Sequence, residues 1–371
     1  MREDTVLPEN SEIEGLDLPL SDGWGEYPLD SVFVRSEIRT VGDVVARIRN
    51  HRYIMDPDFQ RDFVWDEQKQ SKLIESCVMR IPLPVFYVAE ARDGRVIVVD
   101  GLQRLTTFER FKDGRLKLSK LGGVDRIHPL DGKTFSQLPL HLQERIDDTQ
   151  LVMYILDAKA PERARLDIFE RVNSGAPLTR QQMRNALYNG RATDWLRDAA
   201  ASALFRQVTG NALQPKTMRD REAINRFCAF SLLGWDTYPG SDMDSFLGRA
   251  LETMNRTSKQ DIDALRATFD NSMALNHDLF GRHAFRKSLA GMEDSWNRSI
   301  LNIALFDVFS VLMARITPPW DDRLLKQIRA TTVELFADAQ FIHDVTYSTN
   351  SRLQVQGRFS TAELAFDGLL S

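Results

Sequence analysis

Apolar residues follow two different rhythms along this chain, and the rhythm changes near Pro161. Before it, short β-branched runs alternate with short helical stretches. Thr40 caps a helix through Asn50, and residues 56–64 read as an extended segment and turn. Asp66 starts a helix to about Arg80, with Leu73, Ile74, Cys77 and Val78 on one face. Ile81-Pro82-Leu83-Pro84 breaks it. Val85 to Ala89 predicts a strand, Arg92-Asp93-Gly94 a hairpin turn, and Val96 to Val99 a partner strand buried on both faces. Leu105 to Phe111 predicts a helix, Arg115 to Leu118 a short strand, residues 119–145 an irregular surface excursion, and Leu151 to Leu156 a final strand.

After Pro161 no strand pattern stands out. Helical periodicity predicts helices over 162–172, 179–189, 192–205, 219–233, 243–255, 259–274, 282–289, 293–315 and 322–337. Ser299 to Ile316 is apolar nearly all round, which predicts a central buried helix. The fold class expected is α+β, with a sheet-bearing half at 31–157 and an all-helical half at 158–371, preceded by a leader at 1–30.

Composition changes this picture in one place. The net charge of −5 over 371 residues hides an acidic leader: residues 1–30 carry nine acids and a single base, Arg2. Such a segment is expected to be flexible in isolation. Cys77 and Cys228 are the only cysteines, so no disulfide framework exists. No signal-peptide pattern and no long apolar run occur, so a cytoplasmic protein without a membrane span is expected.

Candidate chemistry gathers at three places. The stretch from Val96 to Thr107 reads as a strand, an Asp100-Gly101 turn and a helix start. Backbone N–H groups at a helix N-terminus favour anions, phosphates above all. Gly101 would let backbone approach a phosphate, Gln103 and Arg104 would donate to its oxygens, and Thr106 or Thr107 would add a hydroxyl. Asp100 would hold Mg²⁺ or orient a water. The plain alternative is an Asp-Gly turn with an arginine salt bridge. The second place is Gln60-Arg61, flanked by Phe59, Phe63 and Trp65, which would form a second cationic wall or a core-anchored surface turn. The third is Phe169 to Thr179 with Arg184 and Asn185, where a helix ends at Asn173-Ser174-Gly175 and Thr179 caps the next. Arg171, Asn173 and Arg184 would close the pocket from the helical half; the plain alternative is a well-capped helix–turn–helix corner with Arg171 and Arg184 solvated.

In this order the motifs resemble the large domain-of-unknown-function family that supplies the N-terminal part of GmrSD-type restriction enzymes. The resemblance rests on Gln60-Arg61…Trp65, Ile81-Pro82-Leu83-Pro84, Asp100-Gly101-x-Gln103-Arg104-Leu105-Thr106-Thr107, Phe169-x-Arg171-x-Asn173 and Leu178…Arg184-Asn185. Thr346 to Ser351 and Arg358-Phe359 look like the family's closing segment. The first half is similar to the ParB and sulfiredoxin nucleotide-binding fold. The resemblance implies a module of bacterial anti-phage defence that binds, and often hydrolyses, a nucleoside triphosphate with Mg²⁺. ATP, GTP and CTP all stay open. Arg358 and its polar neighbours would fold back over the nucleotide. Leu102 stands where the family has Gln, and Gln182 where it often has Glu, a change that removes a charge able to assist a metal or base.

The six histidines lack metal-ligand spacing, and no phosphate-loop signature occurs. His343-Asp344 reads as a capping or surface pair. Lys216, Arg219, Arg221 and Arg226 would line one helix face and contact DNA phosphates, but with Asp220 and Glu222 interleaved the default is a solvated mixed-charge helix. The expected partners are a nucleotide, DNA, and a separate nuclease or defence protein gated by nucleotide state. Oligomer formation stays open. The alternatives are a Mg²⁺-dependent DNA nickase using Asp100 and Gln103, and a non-catalytic DNA-binding sensor or scaffold.

Overall fold

Two sheets form among the residues described by the computed structural model, which are 13–16, 34–55, 65–91, 93–121, 128–160, 162–172, 179–240, 242–291 and 298–370. The smaller pairs strand β1 (Ile13–Glu14) in parallel with a two-residue strand at Leu301–Asn302. The larger has five strands: β2 (Val34–Thr40), β3 (Tyr53–Ile54), β4 (Phe86–Glu90), β5 (Val96–Asp100) and β6 (Gln150–Leu156). Their order is β2-β6-β4-β5-β3, with β2–β6 and β4–β5 antiparallel and β4–β6 and β3–β5 parallel. The strand at Leu301–Asn302 is β7. The chain divides into two compact units, one spanning 25–187 and the other comprising 1–24 with 188–371.

In the sheet-bearing unit, α1 (Val41–Arg49) and α2 (Glu67–Val78) begin as their caps dictate. The Thr40 hydroxyl accepts from the Asp43 amide at 3.2 Å, and the Asp66 carboxylate from the Lys69 amide at 2.7 Å. These helices share one core with α3 (Leu102–Lys112), α4 (Leu140–Asp147) and one face of the sheet, through Val44, Ile74, Phe108, Ile146, Val98 and Met153. The opposite face of the central strands, with Ala89, Ile97 and Val99, is buried as well. Helix α5 (Glu162–Val172) is tied to β4, since Arg165 Nη2 donates to the Glu90 carbonyl at 3.2 Å. Helix α6 (Arg180–Leu187) is tied to α5 by an Arg180–Asp167 ion pair of 3.1 Å. Burial on both faces explains the uninterrupted apolar run of β5.

Three local expectations need correction. Strand β2 was not expected, because Val-Arg-Ser-Glu-Ile-Arg-Thr carries an edge strand's charges instead of a core strand's apolar pattern. Residues 115–118 form no strand. Leu116 and Leu118 are buried, and Leu118 exchanges backbone hydrogen bonds with Gly132 and Lys133. The stretch 119–145 contains a 3-10 turn at Phe135–Gln137 and the start of α4.

The helical unit contains α7 (Arg191–Ala200), α8 (Ala203–Thr209), α9 (Arg219–Leu233), α10 (Met243–Arg256), α11 (Lys259–Phe280), α12 (Ile303–Met313), α13 (Asp322–Ala337), α14 (Ala339–Asp344) and α15 (Arg352–Ala365). Every residue of α12 is buried, as its all-round apolarity predicts. The expected 192–205 helix is two helices, and 282–289 holds two 3-10 turns. The start expected at 293 lies outside the described residues, and α12 begins only after β7, at an Asn302 cap whose side chain accepts from the Leu305 amide at 2.9 Å. The leader is not free throughout. Ile13 is in the core, Glu14 pairs with Lys287 at 2.5 Å, and Gly15 offers its carbonyl to Thr349.

Candidate functional site

The sharp bend at the end of β5 follows from one residue. Gly101 has φ +107, and a Cβ there would lie 2.4 Å from Phe86 Cδ1. Only glycine fits this left-handed turn against a ring. The turn swings the chain directly into α3, whose first-turn N–H groups have no acceptor within the helix itself. Asp100 ends the strand and Arg104 comes one helical turn later.

Arg104 is not the outward fork expected from the sequence. It is 8% exposed, with Nη1 donating to the Pro84 carbonyl at 2.5 Å. Nη2 donates to the Val85 carbonyl at 3.1 Å and to Asp100 Oδ2 at 2.8 Å. Its guanidinium carbon sits 4.1 Å from the Phe86 ring centroid. Burial draws the guanidinium below its ordinary pKa, with Asp100 pulling the other way. Arg104 therefore rivets the turn to the entry of β4. Asp100 is less confined: its side chain keeps 31% of its exposure, and only Oδ2 is spent on Arg104.

The neighbours divide in the same way. Thr107 is fully buried and donates to the Gln103 carbonyl at 2.7 Å, so its hydroxyl serves its own helix and not a phosphate. Thr106 is half-buried. Leu102 packs on the hydrophobic core, which gives this position an apolar use. Gln103 Oε1 lies 3.4 Å from the Trp65 amide nitrogen, and Gln70 Nε2 donates to the Trp65 carbonyl at 2.9 Å. Trp65, where the described chain resumes, thus lies beside Gln103. Gln60 and Arg61 themselves lie outside the described residues.

With this geometry in place, comparison with known families finds one match, over part of the chain. Residues 41–189 match the GmrSD restriction endonuclease, N-terminal domain. No curated protein and no solved structure matches the chain. The match indicates a component of a restriction or defence system, and it takes in β3 to β6 and α1 to α6.

Within the matched stretch, Asn173 and the side chain of Arg171 lie outside the described residues. Arg184 is buried on α6, where Nη1 donates to Gln181 Oε1 at 2.6 Å and Gln181 in turn donates to Asn185 at 3.1 Å. Arg184 belongs to the sheet-bearing unit, not to the helical half from which it was expected to act. Thr179 and Gln182 cap α6 reciprocally. The Gln182 amide donates to the Thr179 hydroxyl at 3.2 Å, and Gln182 Oε1 accepts from the Thr179 amide at 2.8 Å. A capping box accepts Gln as readily as Glu, so this position has a structural use without a charge.

Arg358 belongs to a different setting altogether. It lies on α15 of the helical unit, fully buried, with Nη2 donating to Asp307 Oδ2 at 2.8 Å and Nη1 to the Thr349 carbonyl at 2.5 Å. Arg226 holds the same carboxylate through Nε at 2.8 Å and Nη2 at 2.5 Å. Burial pulls Arg358 down to about 10. The segment expected to fold over a nucleotide instead enters a helix that buries one face, with Val355, Arg358, Phe359 and Ala362, in the core, and Arg226 is no part of a solvated charged face. His343 and Asp344 end α14, where buried Asp344 accepts from Gln340 at 2.9 Å. Among the described residues no group of three His, Cys, Asp or Glu side chains is placed to hold a metal.

Proposed function

We propose that the GmrSD-type domain is a nucleoside-triphosphate-binding module of a restriction system, with its phosphate site at the Asp100–Arg104 turn. The observation that carries this reading is the Gly101 turn. It delivers a helix N-terminus, a half-buried glutamine and a part-exposed carboxylate to one point, on a backbone that residues with a side chain adopt only under strain. Backbone N–H groups of α3 and the Gln103 amide would bind phosphate oxygens. Arg104 holds the turn rigid instead of contacting the ligand. The ParB/sulfiredoxin likeness is carried by the order of the motifs.

Asp100 fits Mg²⁺ as one carboxylate ligand among phosphate oxygens and waters, which is how this ion is usually held in nucleotide sites. When bound, the ion would neutralise phosphate charge. In this reading nucleotide occupancy governs a separate nuclease partner acting on DNA.

Calorimetric titration with ATP, GTP and CTP, with and without Mg²⁺, tests the reading. Wild type is expected to bind one of them. Gln103→Ala should weaken binding about tenfold under both conditions, by loss of one hydrogen bond to a charged group. Asp100→Asn should remove only the gain that Mg²⁺ confers. No heat with any of the three, in protein shown to be folded, overturns it.

A further inference from the structure

A cavity of about 840 Å³ opens in the sheet-bearing unit at the hairpin end of β5, the opposite end of that strand from Gly101. Four arginines line it, from three places in the fold: Arg35 and Arg39 on β2, Arg47 on α1, and Arg52 just before β3. The lining contains two carboxylates, Asp43 and Glu90. Positive charge is therefore in excess within the lining. Neither the matched family nor the Asp100 turn accounts for these side chains, and two of them lie ahead of residue 41 where the match begins.

The arginines are oriented without being used up. Arg47 grips Asp43 through Nε alone, at 2.9 and 3.0 Å. Arg35 spends Nε on Glu37 at 3.2 Å and Nη1 on Glu90 at 3.2 Å. Arg39 is anchored by Glu37 at 2.7 Å and by the Tyr53 hydroxyl at 2.9 Å. A guanidinium has five N–H donors. Both terminal nitrogens of Arg47 and Nη2 of Arg35 thus stay unspent among the described residues, and Arg52 is exposed with no side-chain partner there. Carboxylates on one edge of each fork fix its direction and leave the other edge for a ligand. Planar forks of this kind match phosphate oxygens. The volume lies within the range of sites for small molecules.

We infer that this cavity is a second anion site, built for a phosphate ester of about nucleotide size. The inference stands apart from the Asp100 turn and survives if that reading fails. Calorimetry of the full chain with inorganic pyrophosphate, with ADP and with a short single-stranded oligonucleotide tests it. Arg47→Ala and Arg52→Glu are the variants, since both side chains are exposed and neither anchors the core. At least one probe should bind wild type, and each variant should weaken it about tenfold or more, with a near-wild-type melting temperature. Tight oligonucleotide binding with steep salt dependence, beside silent pyrophosphate and ADP, would name nucleic acid as the source of the phosphate. The reverse pattern would name a free nucleotide. If no probe binds, or if Gln103→Ala abolishes binding while Arg47→Ala and Arg52→Glu leave it intact, the cavity is not an anion site.

Discussion

Arginine and aspartate meet inside both units of this protein, and the two meetings differ in what they leave open. At the β5–α3 turn one guanidinium faces one carboxylate, and the Asp100 side chain is still 31% exposed. In the helical unit two guanidiniums share Asp307, and all three side chains are sealed from solvent. The first arrangement spends one carboxylate oxygen on its arginine, which is why the proposed ligand site lies there. The second has nothing to offer a ligand, and it pins α9, α12 and α15 together. The same residue types in the sequence therefore leave a carboxylate part-exposed in one unit and sealed in the other, and burial makes the difference.

The largest expected effect lies in the sealed cluster. Asp307→Ala leaves two buried cations uncompensated and should cost about 3–5 kcal/mol or more, measured by urea unfolding. A cost below about 1 kcal/mol would show that water reaches the cluster. Next comes Gly101→Ala, which meets both a positive φ and the Phe86 ring. It should cost about 1–3 kcal/mol, and combining it with Phe86→Leu should cost less than the two single changes added together. Arg104→Ala should cost about 1–3 kcal/mol by orphaning the Pro84 and Val85 carbonyls it now satisfies. Asp100→Asn should change stability by less than about 1 kcal/mol, because its carboxylate is part-exposed. Its effect should fall on Mg²⁺-dependent binding.

One buried thiol in each unit sharpens the comparison further. Burial pushes Cys77 in the sheet-bearing unit up to about 11, and Cys228 in the helical unit higher still. At pH 8 neither should react with a thiol reagent in the folded protein. Asp307→Ala should expose Cys228 first and Arg104→Ala should expose Cys77 first. Equal rates in both variants would show that the units open as one.

Much of the architecture was legible because it is locally encoded. The caps at Thr40, Asp66 and Thr179, the Asp-Gly turn, and the helices at 162–172, 219–233 and 322–337 all depend on neighbours in sequence. The two-sided burial of β5 and the buried α12 were equally readable from unbroken apolar runs. Strand β2 was hidden, since an edge strand keeps its charges and carries no core pattern. The arginine cavity was hidden for a related reason: Arg35, Arg39, Arg47 and Arg52 look like scattered surface charge until β2, α1 and β3 are set side by side.

The sequence alone determined that a glycine turn and a helix start follow β5, because φ, capping and strand propensity act over a few residues. Only the tertiary structure decided which way each arginine points. Arg104, Arg184, Arg226 and Arg358 all looked available for phosphate, yet each is buried. The reason is physical: a guanidinium's fate depends on which carboxylates and carbonyls reach it. Those partners lie 19 residues away for Arg104 and Val85, and 81 for Arg226 and Asp307.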